Sequence, residues 1–417
     1  MRTRTTATIA VGAAAALALT ACSSGDDSAE GGSSEITLWM YPVIADEDAS
    51  RDYWEAFETD FEAEHSDIDL SIELLPWADR EEKIGTAIAA GTGPDLVLLV
   101  PDLARNFYDT GGLKPIDGAI DDPGVYFEGA LAGGTFDGEI YGLPIYQTAN
   151  ATAYNTALFE DAGITELPQT WDEILDAAPA LAENGVSVLD YSGSAETTLN
   201  ISFYPLLWQA GGSVFTEDGS DIAFDGPEGV EALQFLLDLQ EAGGLPADAA
   251  TKTTAVEGGP LGLGTAAMSY GMSGATIDQL EAAVGEENVT VGAPLTGAVQ
   301  ASFGTPGIIG LTTINEDEEA ALEVARALAA PEAQSAMFEA AGWFPSREDA
   351  EITIDDDATQ ALFDSLAVSN PGEAAPGARQ VMSILATHIQ SALQGQATAE
   401  EAIADAAAEA RDAISRL

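Results

Sequence analysis

The stretch DLVLLV, Asp95–Val100, is apolar from Leu96 to its end. No polar residue alternates with the apolar ones, so neither face of a strand built from it is suited to water. A short run of this kind is the pattern of a parallel strand covered on both faces. Its upstream flank agrees. Glu35–Tyr41 and Ile68–Leu75 alternate as β-strands. Between them Ser50–His65 carries Tyr53, Trp54, Phe57 and Phe61 at helical spacing, with Ser50 as candidate cap. Arg80–Ala90 reads as a helix stopped by Gly91 and Gly93. The order is βαβαβ, which predicts an α/β sheet with crossover helices. Ligands of such sheets sit beyond the carboxyl ends of the strands. Here that means Tyr41-Pro42-Val43, Pro76-Trp77 and Pro101-Asp102.

The theme continues downstream. Glu139–Tyr146 and Ala149–Tyr154 read as strands, and Thr156–Ala162 as a helix ending at Gly163. Thr170 and Glu173 have capping-box spacing. Helices are expected at Asn200–Gln209, Pro227–Glu241, Glu318–Leu328 and Pro331–Ala341, with a short strand at Ala266–Tyr270. Pro376–Leu417 reads as two long helices split near Gly395. A chain of 417 residues exceeds what one core usually serves, so two domains are expected.

Cys22 is the only cysteine, so no internal disulfide and no Cys/His zinc site can form. It follows a basic head, Arg2 and Arg4, and an apolar run, Ile9–Leu19, too short to span a bilayer. Leu19-Thr20-Ala21-Cys22 resembles a lipobox. The resemblance implies a signal peptide over 1–21 and a lipid on Cys22; the alternative is an ordinary secretory signal. Residues 22–34 are rich in Ser, Gly and acids and read as a flexible tether. The expected location is the outer face of the cytoplasmic membrane.

The formal net charge is −58. That excludes nucleic acid, which needs clustered Lys and Arg, and disfavours anionic ligands. It is no sign of disorder, because 46% of residues are hydrophobic and aromatic residues are spread along the chain. Asp355-Asp-Asp357 lacks EF-hand spacing and reads as a solvated face, so no metal and no cofactor are expected.

Beyond these readings the chain resembles the extracellular solute-binding proteins of ABC importers, in the group that includes maltose-binding protein. The resemblance rests on ITLW at 36–39, FETDFEAEHSDIDLSIELLPW, EKIGTAIAAGTGPDLVLL, GEIYGLPIYQTANATAYNTALFEDAGI, LLWQAGG, AMSYG and AAPEAQSAMFEAAGWFPSR, in that order. It implies a two-lobe α/β, periplasmic-binding-protein-like fold with a ligand cleft between the lobes and hinge closure. The first lobe would be 35–146 with 304–345, the second 147–303 with 346–417. It also implies a sugar ligand, the transmembrane permease subunits as partners, and a monomer.

A sugar site needs rings to stack on pyranose faces and polar groups for the hydroxyls. By the resemblance, Asp102 stands where the family has a carboxylate for sugar hydroxyls, and Thr148 where it has an acidic contact, preceded by Gln147. Tyr41 and Val43 lie in a sugar-touching loop. Met272 and Ser273 stand where a stacking Trp is expected, and Gly274 and Met382 mark lost aromatics. Replacement platforms are Trp77, Tyr146, Trp208, Tyr270 and Trp343, each of which has a core-packing alternative. Trp39, Trp54 and Trp171 are expected in the cores, and Arg347 in an interlobe ion pair or, as the alternative, in contact with ligand. The function expected is capture of a carbohydrate without chemistry. A polyol or polyamine is the alternative ligand. A glycosidase is the remote alternative: accidental carboxylate pairs carry no information among 71 acids, and YSGSAE lacks the second Gly of a nucleophile elbow.

Overall fold

The computed structural model describes residues 33–416 apart from 45, 77–79 and 254. The signal peptide, Cys22, the tether up to residue 32 and Trp77 lie outside the described residues; Ser34, read as the end of the tether, already belongs to the first strand because its amide pairs with the Asp67 carbonyl. Among those described, no helix is long and apolar enough to cross a membrane, and no acid/His cluster could hold a metal.

The chain forms two α/β lobes, each built on its own sheet. In the first, Ser34–Met40 runs parallel to Ile68–Leu74 on one side and to Leu96–Leu99 on the other. Leu96–Leu99 is fully buried, as its unbroken apolar pattern requires. The sheet is not parallel throughout. Pro306–Thr312 lies antiparallel to Leu96–Leu99, Leu113–Lys114 and Leu143–Gln147, and all its residues are buried. A strand far along the chain thus completes the first core. The second sheet has the order Val289–Gly292, Ala151–Asn155, Ala266–Met272, Ser187–Leu189. One of its faces packs on Trp171, Leu206, Leu236 and the C-terminal helices Ala378–Leu393 and Ala399–Ile414. The other face packs on Ile277, Leu280, Phe344 and Leu362.

Three local expectations change. The cap of the first helix, Glu47–Glu64, is Asp46, whose carboxylate accepts from the Ala49 amide at 2.8 Å; Ser50 lies buried inside the first turn. Pro101-Asp102, read only as the end of a strand, is the first turn of a helix, Pro101–Asp109, because Pro is well suited to N1. Trp39 is half-buried on its strand, whereas Trp54 and Trp171 are core residues, the latter stacked on Phe235 at 4.6 Å.

The lobes meet where the chain crosses between the sheets. Leu143–Gln147 belongs to the first and Ala151–Asn155 to the second, with 148–150 between. The return crossing lies against it. The Asn150 amide donates to the Phe303 carbonyl at 3.1 Å and the Thr148 amide to the Thr305 carbonyl at 2.9 Å. Gly304 permits this approach, since a Cβ there would sit 2.4 Å from the Thr148 carbonyl oxygen. A third segment joins through Gln147 and Phe344, which exchange backbone hydrogen bonds at 2.7 and 2.9 Å.

Candidate functional site

Two cavities adjoin at this crossing. The first, about 300 Å³, opens between the lobes and is walled by Val43, Thr148, Asn150, Ser273, Trp343 and Phe344. The second, about 270 Å³, is walled by the second lobe and Asn150, and includes Asp190, Tyr191, Lys252, Tyr270 and Met272. Asn150 and Ser273 belong to both walls, so the two cavities are neighbours.

The sequence-predicted residues divide among these places. Val43, Thr148, Ser273 and Trp343 meet at the interlobe cavity. Tyr270, Met272 and Ser273 line the second. Gln147 and Thr148 also face a cavity of about 330 Å³ near Phe363 and Pro371. Several of these side chains have structural tasks already. The Gln147 amide donates to the Pro345 carbonyl at 2.9 Å. The Thr148 hydroxyl donates to the Thr305 carbonyl and accepts from the Thr305 amide. Ser273 caps the helix Gly274–Val284. Tyr270 donates its hydroxyl to the Ser202 carbonyl, which fixes the ring. Trp208 is 5% exposed within the second core, so packing accounts for it. Tyr146 is buried in the first lobe, edge-on to Trp343 with ring centroids 4.3 Å apart. It supports Trp343 from behind rather than forming the cavity wall itself.

Asp102 is 6% exposed and its Oδ2 accepts from Arg379 at 3.0 Å. Arg379 reaches it from the helix Ala378–Leu393 and also donates to Glu81 at 2.9 and 3.1 Å. This is the interlobe ion pair that sequence reasoning assigned to Arg347. Arg347 instead pairs with Asp349, two residues on, and stands over the Tyr126 ring at 5.2 Å. The two arms of the Arg379 link are unequal. Glu81 is 40% exposed, and a pair so open to water contributes about 0–1 kcal/mol. Asp102 is buried, so its arm carries the larger share. Burial pulls the Arg379 pKa down, but Asp102 and Glu81 outweigh it and raise the value. Arg80, beside Asp102 and 5.7 Å over the Tyr41 ring, has its pKa lowered by burial. Burial pushes Tyr41 up to about 12.

Glu373, near Trp208 and Tyr204, is pushed up to about 7, mainly by burial. Its folded pKa exceeds the unfolded value of 4.5, so the folded chain holds this proton more tightly. Stability from this group is fully present below pH 4.5, falls between 4.5 and about 7, and is level above. Glu373→Gln is therefore expected to stabilise the protein at pH 8 and change little at pH 4.5. Urea midpoints at the two values test this; parallel shifts at both would contradict it.

Sequence reasoning missed Arg80, Arg379, Glu373, Asn150 and the pair Asp190–Lys252. One signal was available. With 13 Lys+Arg against 71 acids, each cation is rare, and three of these residues are cations.

The profile described as bacterial extracellular solute-binding protein matches residues 45–335. A binding protein of Brucella abortus is 33% identical over 194 residues, 46% of this chain and 47% of that protein. The arabinooligosaccharide-binding protein of Halalkalibacterium halodurans is 27% identical over 219 residues, 50% of this chain and 46% of that protein. The chain thus spans about half the length of the curated relatives it matches. Among solved structures, an ABC transporter solute-binding protein of Thermotoga lettingae bound to α-D-tagatose superposes with a TM-score of 0.77. It is 26% identical, and the match covers 92% of this chain and 100% of that one.

Proposed function

The chain belongs to the bacterial extracellular solute-binding protein family, and from that premise we propose that it captures an uncharged carbohydrate between its lobes for an ABC-type importer, without chemistry. The observation that carries this reading is the pair of adjoining cavities at the lobe crossing, which combine Trp343, Tyr191 and Tyr270 with Asn150 and Ser273. Rings and uncharged hydrogen-bonding groups suit a sugar. The net charge of −58 opposes an anion. The tagatose-bound neighbour and the arabinooligosaccharide-binding relative add weight to a sugar over a polyamine.

The lobes are then 35–147 with 304–345 and 148–303 with 346–417, Gln147 closing a strand of the first sheet. The proposal keeps the signal peptide over 1–21 and the lipid on Cys22, where two acyl chains give stable anchoring. Trp343 serves as the ring platform, with Tyr146 behind it. Asp102 lines neither cavity, and its pair with Arg379 holds the lobes together. The permease meets lobe surfaces flanking the cleft, and the receptor works as a monomer.

A thermal-shift series tests the reading. Arabino-oligosaccharides, maltotriose, D-tagatose, erythritol and spermidine are titrated against the purified protein. One sugar class is expected to stabilise it by about 2.7 kcal/mol at a hundredfold excess over Kd. Trp343→Ala and Asp102→Ala are expected to weaken that response while leaving both lobes folded. A response to spermidine alone would overturn the sugar reading, as would none with any sugar.

A further inference from the structure

The wall of the second-lobe cavity contains a buried ion pair that none of the readings above uses. Lys252 Nζ lies 2.7 Å from Asp190 Oδ1 and 2.9 Å from Ser192 Oγ. Asp190 Oδ2 accepts from the Leu261 amide at 3.3 Å. The two side chains are only 9% and 7% exposed, yet both belong to the cavity wall. An ammonium has three N–H donors. Asp190 and Ser192 take two, which leaves one for whatever enters the cavity. We infer that Lys252 is a specificity-determining donor of a subsite that takes one uncharged ring at the end of the ligand. The inference rests on the carbohydrate reading above and assigns the chemistry of its inner end.

Charge accounting limits the occupant. Among the described residues, and apart from its tyrosines, the cavity wall has no ionisable side chain besides this pair. The Lys252 charge is matched by Asp190, so an entering carboxylate or phosphate finds no spare cation. An entering ammonium finds no spare carboxylate, since the Asp190 charge is already matched by Lys252. Losing water without a counter-charge is costly for either ion. A hydroxyl or ring oxygen loses far less and can accept the remaining N–H. Its neighbours on the wall are the amides of Asn150 and Gln279 and the rings of Tyr191 and Tyr270. The ion pair suits this work because it is rigid. Asp190 and Ser192 fix the ammonium, and Leu261 fixes Asp190, so the donor is in place before the ligand arrives.

Asn150 and Ser273 border both cavities, so a longer ligand whose end ring occupies the inner one has its remainder on the side of Trp343. Chain length and end-group chemistry are then read in separate cavities. A single ring and an oligosaccharide of the same sugar differ in their contact with Trp343 and share the contact with Lys252.

The test uses the double variant Lys252→Met/Asp190→Leu, which removes both charges together so that no ion is left buried alone. Thermal melting and circular dichroism establish that it folds. Titration calorimetry compares it with wild type for arabinotriose, maltotriose and D-tagatose, and for a digalacturonate as charged probe. Wild type is expected to bind a neutral probe and reject the uronate. The double variant is expected to lose at least tenfold in affinity for that probe. Ser192→Ala, which frees a second N–H of Lys252, is expected to lose less and to alter preference among the neutral probes. Wild type binding a sugar with the double variant within threefold of it would overturn this inference and leave the carbohydrate reading standing. Uronate bound more tightly than the neutral probes would overturn it too. No sugar bound by wild type would overturn both.

Discussion

Lys252→Met alone is expected to destabilise the second lobe by about 3–5 kcal/mol, the usual cost of leaving a buried carboxylate without its partner. The size follows from geometry. Lys252 and Asp190 are 2.7 Å apart and less than a tenth exposed. Burial already raises the Asp190 pKa, and Lys252 is the largest force opposing that rise. Without the ammonium the rise is unopposed from that side, so the folded chain prefers protonated Asp190. The penalty is then present above the unfolded value of 3.8 and grows until the pH passes the folded value. The deficit is therefore expected to narrow as pH falls toward 4. Adding Asp190→Leu should recover most of the loss at neutral pH. Urea denaturation of the two variants at pH 7 and pH 4.5 measures both effects. A deficit that did not change with pH, or a double variant as unstable as the single, would show that the pair is not held as described.

Gly307→Ala is the second large effect, expected at about 3 kcal/mol, the upper part of the usual range for overpacking. A Cβ at this position falls 2.0 Å from Tyr146 Cζ and 2.4 and 2.5 Å from the adjacent ring carbons. Neither side can easily recede. The Pro306–Thr312 strand is buried along its whole length and paired on both edges, and Tyr146 rests on Trp343. The ring must move toward Trp343, which lines the interlobe cavity, so ligand affinity should fall along with stability. Tyr146→Ala in the same chain removes the obstacle. The two substitutions should be non-additive, with a coupling of about 1–3 kcal/mol. Additive losses would mean that the glycine serves another purpose.

The parts legible in the sequence were those set by short-range pattern. Leu96–Leu99 declared a strand buried on both faces, and the spacing of Trp54 and Phe61 declared a helix face. Thr170 and Glu173 declared a capping box, which the structure forms. The order of motifs from ITLW to GWFPSR declared the family. The site was legible only in part. Val43, Thr148, Ser273 and Trp343 were named and do meet at one cavity. Tyr270 and Met272 were named and line the next. No periodicity distinguishes a tryptophan that packs from one that faces a cleft, so Trp208 was left between the two until its burial was seen.

Charge partners were the least legible. Arg379 meets Asp102 across 277 residues of chain, and Lys252 meets Asp190 across 62. Among 71 acids, the sequence offers every cation many possible partners, and it led Arg347 to be assigned a role that Arg379 fills. The sequence by itself determined many of the elements, the α/β class and the family, because apolar spacing and turn residues act over a few positions of chain; it left Pro306–Thr312 and Pro101–Asp109 unread. Only the tertiary structure decided which ions pair, which rings face the cleft and which way Pro306–Thr312 runs. Those outcomes depend on which distant surfaces lose their water together, and burial sets both the strength of an ion pair and the purpose of a ring.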